Sequence, residues 1–233
     1  ITVSPVDYLV VAAHPDDAEI SVGGIIAGLV SSGGTVGILD LTNGEPTPFG
    51  NNFIRAEETA KASQKLGITW RENLGLPNRS LENTLVAREK LATIFRVTRP
   101  KVLMTHHPVD AHPDHVAASA LVDGARFWSK LTKTSMLGDP WYPPVLLHFF
   151  SIHLKAMPKA KIVLDVSSHF NIKLDALRCY HSQFFQGRIP NPRLPLDDIE
   201  AMGLAWGRTI RTKYGEPLDS PEEIGLSSLS TVC

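Results

Sequence analysis

Tyr8-Leu-Val-Val-Ala-Ala13 leads without a break into His14-Pro15-Asp16-Asp17-Ala18-Glu19. An apolar run this short and continuous predicts a strand buried on both faces of a parallel sheet. Outward from it, residues 21–32 space Val22, Ile25, Ile26, Leu29 and Val30 as a helix does, and Gly33-Gly34 ends the pattern. Val36-Gly-Ile-Leu-Asp-Leu41 predicts a second strand, and the Gly, Pro and Asn content of residues 42–52 a loop. Helices are expected over 55–66, stopped by Gly67, and over 85–98, with Pro100 breaking the chain before a strand at 101–105. Farther on, 146–153 and 162–166 read as strands, 168–184 and 196–211 as helices, and 189–195 as a Pro-rich link. This alternation predicts right-handed crossovers in an open, mostly parallel, Rossmann-like α/β sheet flanked by helices. At 233 residues the chain suits a single domain over 1–233.

With 43% hydrophobic and 20% charged residues, the composition is that of a folded globular chain. A formal net charge of -1 leaves no excess of Lys and Arg to neutralise nucleic-acid phosphates or an anionic membrane, so neither is expected as a partner. Cys179 and Cys233, the only cysteines, form no CxxC or paired framework, which suits a reducing compartment. No apolar stretch approaches the roughly 20 residues of a spanning helix, and no basic leader with an apolar run opens the sequence. A soluble cytoplasmic protein is expected, trimmed or processed ahead of Ile1.

Because it follows directly on the first strand, the cluster at 14–19 lies at that strand's carboxyl end, where open α/β sheets bind ligands. Two adjacent acids beside a His are costly there unless a positive charge such as a divalent cation compensates them. Capping of the next helix by Asp17 or Glu19 is the structural alternative. The second cluster, Thr105-His-His-Pro-Val-Asp-Ala-His-Pro-Asp-His115, begins at the end of another predicted parallel strand. It holds four of the nine His and two Asp, and both clusters are expected to face one crevice. Two His and one carboxylate make an open three-ligand site of the kind catalytic zinc uses, although the same donors can hold iron(II). A carboxylate beside the ligands can take a proton from water.

His14-Pro-Asp-Asp-Ala-Glu19 followed by His112-Pro-Asp-His115 resembles the LmbE or PIG-L family of zinc-dependent N-acetylglucosaminyl deacetylases, with Ala18 where the commonest family motif has Glu. The stretches at 40–45, 55–58, 73–78 and 180–184 resemble its bacterial BshB-like branch. Carried onto this sequence, the resemblance implies Zn2+ held by His14, Asp17 and His115, with Asp16 as general base. It also implies His112, oriented by Asp114, as donor to the oxyanion or the leaving amine. Spacing by itself does not choose among His106, His107 and His112 for that donor, and a carboxylate partner would raise the chosen imidazole's pKa.

Arg55, Asp110, Tyr180 and Gln183 are the substrate-binding candidates. A solvated surface role is the alternative for Arg55. For Asp110 it is hydrogen-bonded support of the His loop, or simply its turn, and for Tyr180 core packing. The implied reaction is hydrolysis of the acetamide of a small N-acetylated amino sugar, and the implied assembly is a homo-oligomer, a hexamer among similar bacterial proteins.

Two other readings share the clusters. A metal-dependent phosphoesterase would need more bridging carboxylates than these motifs hold, and a non-catalytic metal- or carbohydrate-binding protein has no use for Asp16 beside the ligands. Gly23-Gly24 and Gly28 do not make G-x-G-x-x-G, and the acids at 16–17 would repel a pyrophosphate, so no dinucleotide is expected. Residues 141–144 and 189–195 match no motif, and as loops they are expected to shape substrate choice.

Overall fold

The computed structural model describes residues 4–188, 194–226 and 228. Most of the Pro-rich link, 189–193, and Cys233 lie outside them. In chain order the elements are β1 (Tyr8–Ala12), α1 (Asp17–Ser31), β2 (Val36–Thr42), α2 (Asn52–Leu66), β3 (Trp70–Leu76), α3 (Leu85–Thr98) and β4 (Val102–His106). After these come α4 (Pro113–Ser129), β5 (Val145–Phe149), β6 (Ile162–Asp165), α5 (Phe170–Arg178), α6 (His181–Phe184), α7 (Pro195–Thr209) and β7 (Gly215–Asp219).

Among the described residues, seven strands join one sheet in the order β3-β2-β1-β4-β5-β7-β6. The pairs from β3 to β5 are parallel, while β7 runs antiparallel to both β5 and β6. The expected open, mostly parallel α/β sheet is therefore what the chain forms. Its apolar first strand is covered twice. Val10 and Ala12 pack into a core with Ile26, Phe170 and Leu177, and Leu9 and Val11 into another with Leu91, Phe95 and Leu121. Alternation of side chains along the strand is what divides them between the two faces. The sheet grows from β1 in both directions, through β2 to β3 on one side and through β4 to β5 on the other. Loops leaving β1 and β4 consequently diverge, which opens a crevice at the carboxyl ends of the two strands.

The helix after β1 is broken. Val22 has φ -136°, and the break frees the backbone N–H groups of Gly24 and Ile25, which donate to Glu216 Oε1 at 3.0 Å and Oε2 at 2.7 Å. Lys173 Nζ donates to the same carboxylate at 2.6 Å, so α5, β7 and the middle of α1 are tied by one buried ion pair. Gly24 is required by packing: a Cβ there would sit 2.8 Å from Val166 Cβ. That contact accounts for a glycine which otherwise invites comparison with a nucleotide loop.

Three elements go beyond the sequence expectations. β3 is an edge strand and β7 carries Gly, Glu, Pro and Asp in five residues, so neither has the apolar run of a buried strand. α4 begins inside the second His cluster. The single helix expected over 168–184 is two, α5 and α6, separated at Cys179-Tyr180. Residues 141–144 do not border the crevice: Trp141 Nε1 donates to Pro100 O at 3.0 Å, at the amino end of β4. Among the described residues, no helix is long and apolar enough to cross a membrane.

Glu216→Ala is expected to leave Lys173 charged without its buried partner and two amides unsatisfied, at a cost of about 3–5 kcal/mol. A denaturant titration should show a clearly lower midpoint, and an unchanged midpoint would contradict the role given to this pair.

Candidate active site

Two hydrogen bonds lock the strand ends that build the site. Thr105 Oγ1 donates to Val11 O at 2.9 Å, and the Ala13 N–H donates to His106 Nε2 at 2.9 Å. His106 is fully buried, and burial lowers its pKa to about 4. Its Nε2 lies 3.4 Å from Asp17 Oδ2, but because that nitrogen accepts the Ala13 amide, the ring is neutral and forms no ion pair. Beyond β4, His112 caps α4: its Nδ1 accepts the Asp114 N–H at 3.2 Å, and Pro113 occupies the first turn, where a missing N–H costs nothing.

The crevice gathers His14, Asp17 and His115, whose donor atoms lie within 4.8 Å of one another. Of these, His115 is the most clearly prepared. Its Nδ1 bonds Asp110 Oδ2 at 3.0 Å, whereas its Nε2 is buried with no hydrogen-bond partner and stands 3.3 Å from Asp17 Oδ1. An imidazole held through one nitrogen by a carboxylate, with the other left open toward an acid, is the arrangement a metal ligand needs. Two further groups of donors, His14-His112-Asp114 and His106-Asp110-His115, meet the same distance limit. In each, both carboxylate oxygens are already engaged, by the Arg79 and Leu81 N–H groups for Asp114 and by the His112 N–H and His115 Nδ1 for Asp110. Asp17, by contrast, accepts the His14 N–H on Oδ2 and leaves Oδ1 facing His115 Nε2. The residues present thus fit a cation best at His14, Asp17 and His115.

Asp16 stands beside that donor set in a left-handed conformation, φ 110°, which costs a non-glycine residue on the order of 1–3 kcal/mol. Arg55 holds it there, its Nη2 donating to Pro15 O at 2.6 Å and to Asp16 Oδ2 at 3.1 Å. Burial raises the Asp16 pKa, Arg55 opposes the rise and the Asp17 charge adds to it. For Asp17 burial also disfavours ionisation, but the charge of His115 outweighs it and the pKa falls well below the ordinary carboxylate range. Neighbouring acids are thereby set apart, one ready to exchange a proton and one fixed as an anion.

A model of the PIG-L family, GlcNAc-PI de-N-acetylase, matches residues 9–125, half of the chain, and that span holds both clusters. The chain belongs to the PIG-L family. It is 27% identical over 223 residues to the diacetylchitobiose deacetylase of Thermococcus kodakarensis, covering 89% of this chain and 77% of that one. To the 1D-myo-inositol 2-acetamido-2-deoxy-alpha-D-glucopyranoside deacetylase 2 of Saccharopolyspora erythraea it is 26% identical over 249 residues, covering 81% and 90%. Among solved structures, the conserved protein TT1542 from Thermus thermophilus superposes with a TM-score of 0.87 at 33% identity over 95% of this chain and 97% of that one.

Within this PIG-L fold, a cavity of about 410 Å3 is lined by His14, Asp16, Asp17, Arg55, His112 and His115. Gln183 also lines it, its Nε2 donating to Thr47 Oγ1 at 3.2 Å. Three expectations need correction. Asp114 does not orient His112: its Oδ2 bonds His14 Nε2 at 3.1 Å, and burial lowers the His112 pKa, with His115 adding to the effect. The reason is the capping geometry, which turns the Asp114 amide, not its carboxylate, toward His112. Asp110 is spent on His115 Nδ1 and the His112 N–H and does not line the cavity. Tyr180 is fully buried behind the cavity, its hydroxyl donating to Glu19 Oε1 at 2.9 Å and its ring lying 5.5 Å from the Arg55 guanidinium carbon. Arg55 is buried, not a solvated surface residue.

Asn78, Arg79, His153 and Arg188 line the cavity without having been singled out from the sequence. Asn78 closes the family-like stretch at 73–78, so a signal existed for it and its neighbour Arg79. His153 and Arg188 carry none. Arg55→Ala would leave Asp16 in its strained turn without a counter-charge. Stability is expected to fall by about 3–5 kcal/mol, measured as a lower unfolding midpoint, and a wild-type midpoint would show that Arg55 does not support the turn.

Proposed function

We propose that this PIG-L family member hydrolyses the acetamide of an N-acetylglucosamine-containing small molecule, releasing acetate and a free amino sugar, with Zn2+ at His14, Asp17 and His115. One observation carries the reading: an uncommitted pair of donors, Asp17 Oδ1 and His115 Nε2, stands in the same cavity as a separate, proton-exchanging carboxylate, Asp16. The deacetylases of Thermococcus kodakarensis and Saccharopolyspora erythraea, whose substrates are a chitobiose and an inositol-linked sugar derivative, support an amide hydrolase acting on a sugar's N-acetyl group.

When bound, a divalent ion supplies Lewis acidity toward the acetamide carbonyl and lowers the pKa of water. Asp16 takes a proton from water as the water oxygen adds to the carbonyl carbon, a role to which a carboxylate of raised pKa is suited near neutral pH. Arg55 keeps the Asp16 carboxylate in place. His112 accepts a backbone N–H on Nδ1, so in its neutral form the proton resides on Nε2, and from there the ring donates to the developing oxyanion. As the C–N bond breaks, the proton on Asp16 passes to the departing amine. Asp110 and Asp114 act through His115 and His14, which they orient. A homo-oligomeric, cytoplasmic protein remains part of this reading.

Acetate release from a panel of N-acetylglucosaminides by zinc-loaded protein is the direct test, and no turnover on any of them would sink the reading. Asp16→Asn is expected to keep its metal by elemental analysis while losing about a hundredfold to ten-thousandfold in kcat. A fully active variant would remove Asp16 from the mechanism. His115→Ala is expected to lose the metal itself on gel filtration, and wild-type zinc content would exclude His115 as a ligand.

A further inference from the structure

Against the catalytic cavity lies a second one of about 540 Å3, and Ile20, Ile152 and Pro195 line both. Their walls differ in kind. The catalytic cavity is bounded by His, Asp and Arg side chains, whereas Phe150, Leu154, Met202 and Trp206 bound the second. Its polar lining residues are Ser21, Ser151, Lys173, Asp198 and Glu216. Lys173 and Glu216 are buried and paired with each other at 2.6 Å. Ser21 is also buried, and its hydroxyl has no hydrogen-bond partner among the described residues.

We propose that this cavity is an aglycone subsite, holding an apolar alkyl or aryl group attached to the N-acetylated sugar. The substrate is then an amphipathic N-acetylglucosaminide and not the free sugar. This inference rests on the deacetylase reading and deepens it. A sugar held by its acetamide at Asp16 and His112 reaches the shared wall of Ile20, Ile152 and Pro195, and a substituent crossing that wall leaves water for carbon surroundings. An anionic substituent would find no free cation among the described lining residues, because Lys173 is already paired with Glu216 and Asp198 adds a further carboxylate. One acceptor atom on the apolar group would satisfy the Ser21 hydroxyl, whose burial is otherwise unfavourable.

Calorimetric titration of the metal-loaded full chain with hexyl and methyl N-acetylglucosaminides, in both anomers, tests the proposal. The Asp16→Asn background keeps the probe from being consumed. Burial of each methylene contributes up to roughly fourfold in affinity. Hexyl glycoside is therefore expected to bind at least roughly tenfold more tightly than methyl. Ala201→Trp, which places a ring on the cavity wall formed by α7, should abolish that difference, and Trp206→Ala, which removes wall area, should reduce it. Equal affinities for the two glycosides in the parent protein, binding of neither, or a chain-length preference untouched by both substitutions would overturn the subsite. Acetate release by the chain with native Asp16 is read separately. Its absence beside an intact chain-length preference would count against the deacetylase reading and leave the subsite standing.

Discussion

Parallel pairing of β1 with β4, from Tyr8 opposite Val102 to Val11 opposite Thr105, places two strand ends at one height although 94 residues separate Val11 from Thr105. The site depends on this register. Shifting it by one residue would turn the alternate side chains of β4 to the opposite face and take His106 away from the Ala13 amide. Both strands are buried, so the two cores hold the register from either side. Beyond each strand end a different local structure delivers the motif, a tight turn carrying Asp16 and Asp17 after β1 and a capped helix carrying His115 after β4.

A cost accompanies this placement, because the first turn of α1 and the neighbouring strand β2 concentrate acids in the interior. Asp17, Glu19 and Asp40 are all buried. Arg71, from the edge strand β3, grips Asp40 through two nitrogens at 2.8 and 3.0 Å and reaches Glu19 at 2.5 Å. A bidentate guanidinium of this sort offsets the loss of hydration that each buried carboxylate suffers. The hydroxyl of Tyr180 also serves Glu19, and its ring lies alongside Arg55. Structural charge pairs and the proposed catalytic groups are therefore one connected system: Arg71 and Tyr180 steady the turn of α1 through Glu19, and Arg55 steadies Asp16 upon it.

Much of this was legible in local pattern. A six-residue apolar run announces a strand covered on both faces, since only such a strand has no solvent side to give to polar residues. Helices with a clear stop, as at Gly67 with φ 67°, are equally visible. β3 and β7 were not, because an edge strand bearing Arg71, Glu72 and Asn73 carries no apolar period, and the five residues Gly-Glu-Pro-Leu-Asp have almost no strand propensity. The break of α1 at Val22 was hidden for a related reason: its compensation comes from Glu216, nearly two hundred residues away.

By itself the sequence determined the alternating α/β order, the position of both His-Asp motifs at strand ends, and the chemical types able to bind a cation and exchange a proton. All of these follow from short-range periodicity and from which side chains carry which atoms. Tertiary structure alone decided that Asp114 serves His14, that Asp110 serves His115, that Tyr180 lies behind the cavity, and that an apolar cavity adjoins the polar one. Adjacent carboxylates and imidazoles have nearly the same local preferences, so spacing cannot distribute them among partners. That distribution is made by capping turns and long-range hydrogen bonds, which exist only once the sheet has brought the two strand ends together.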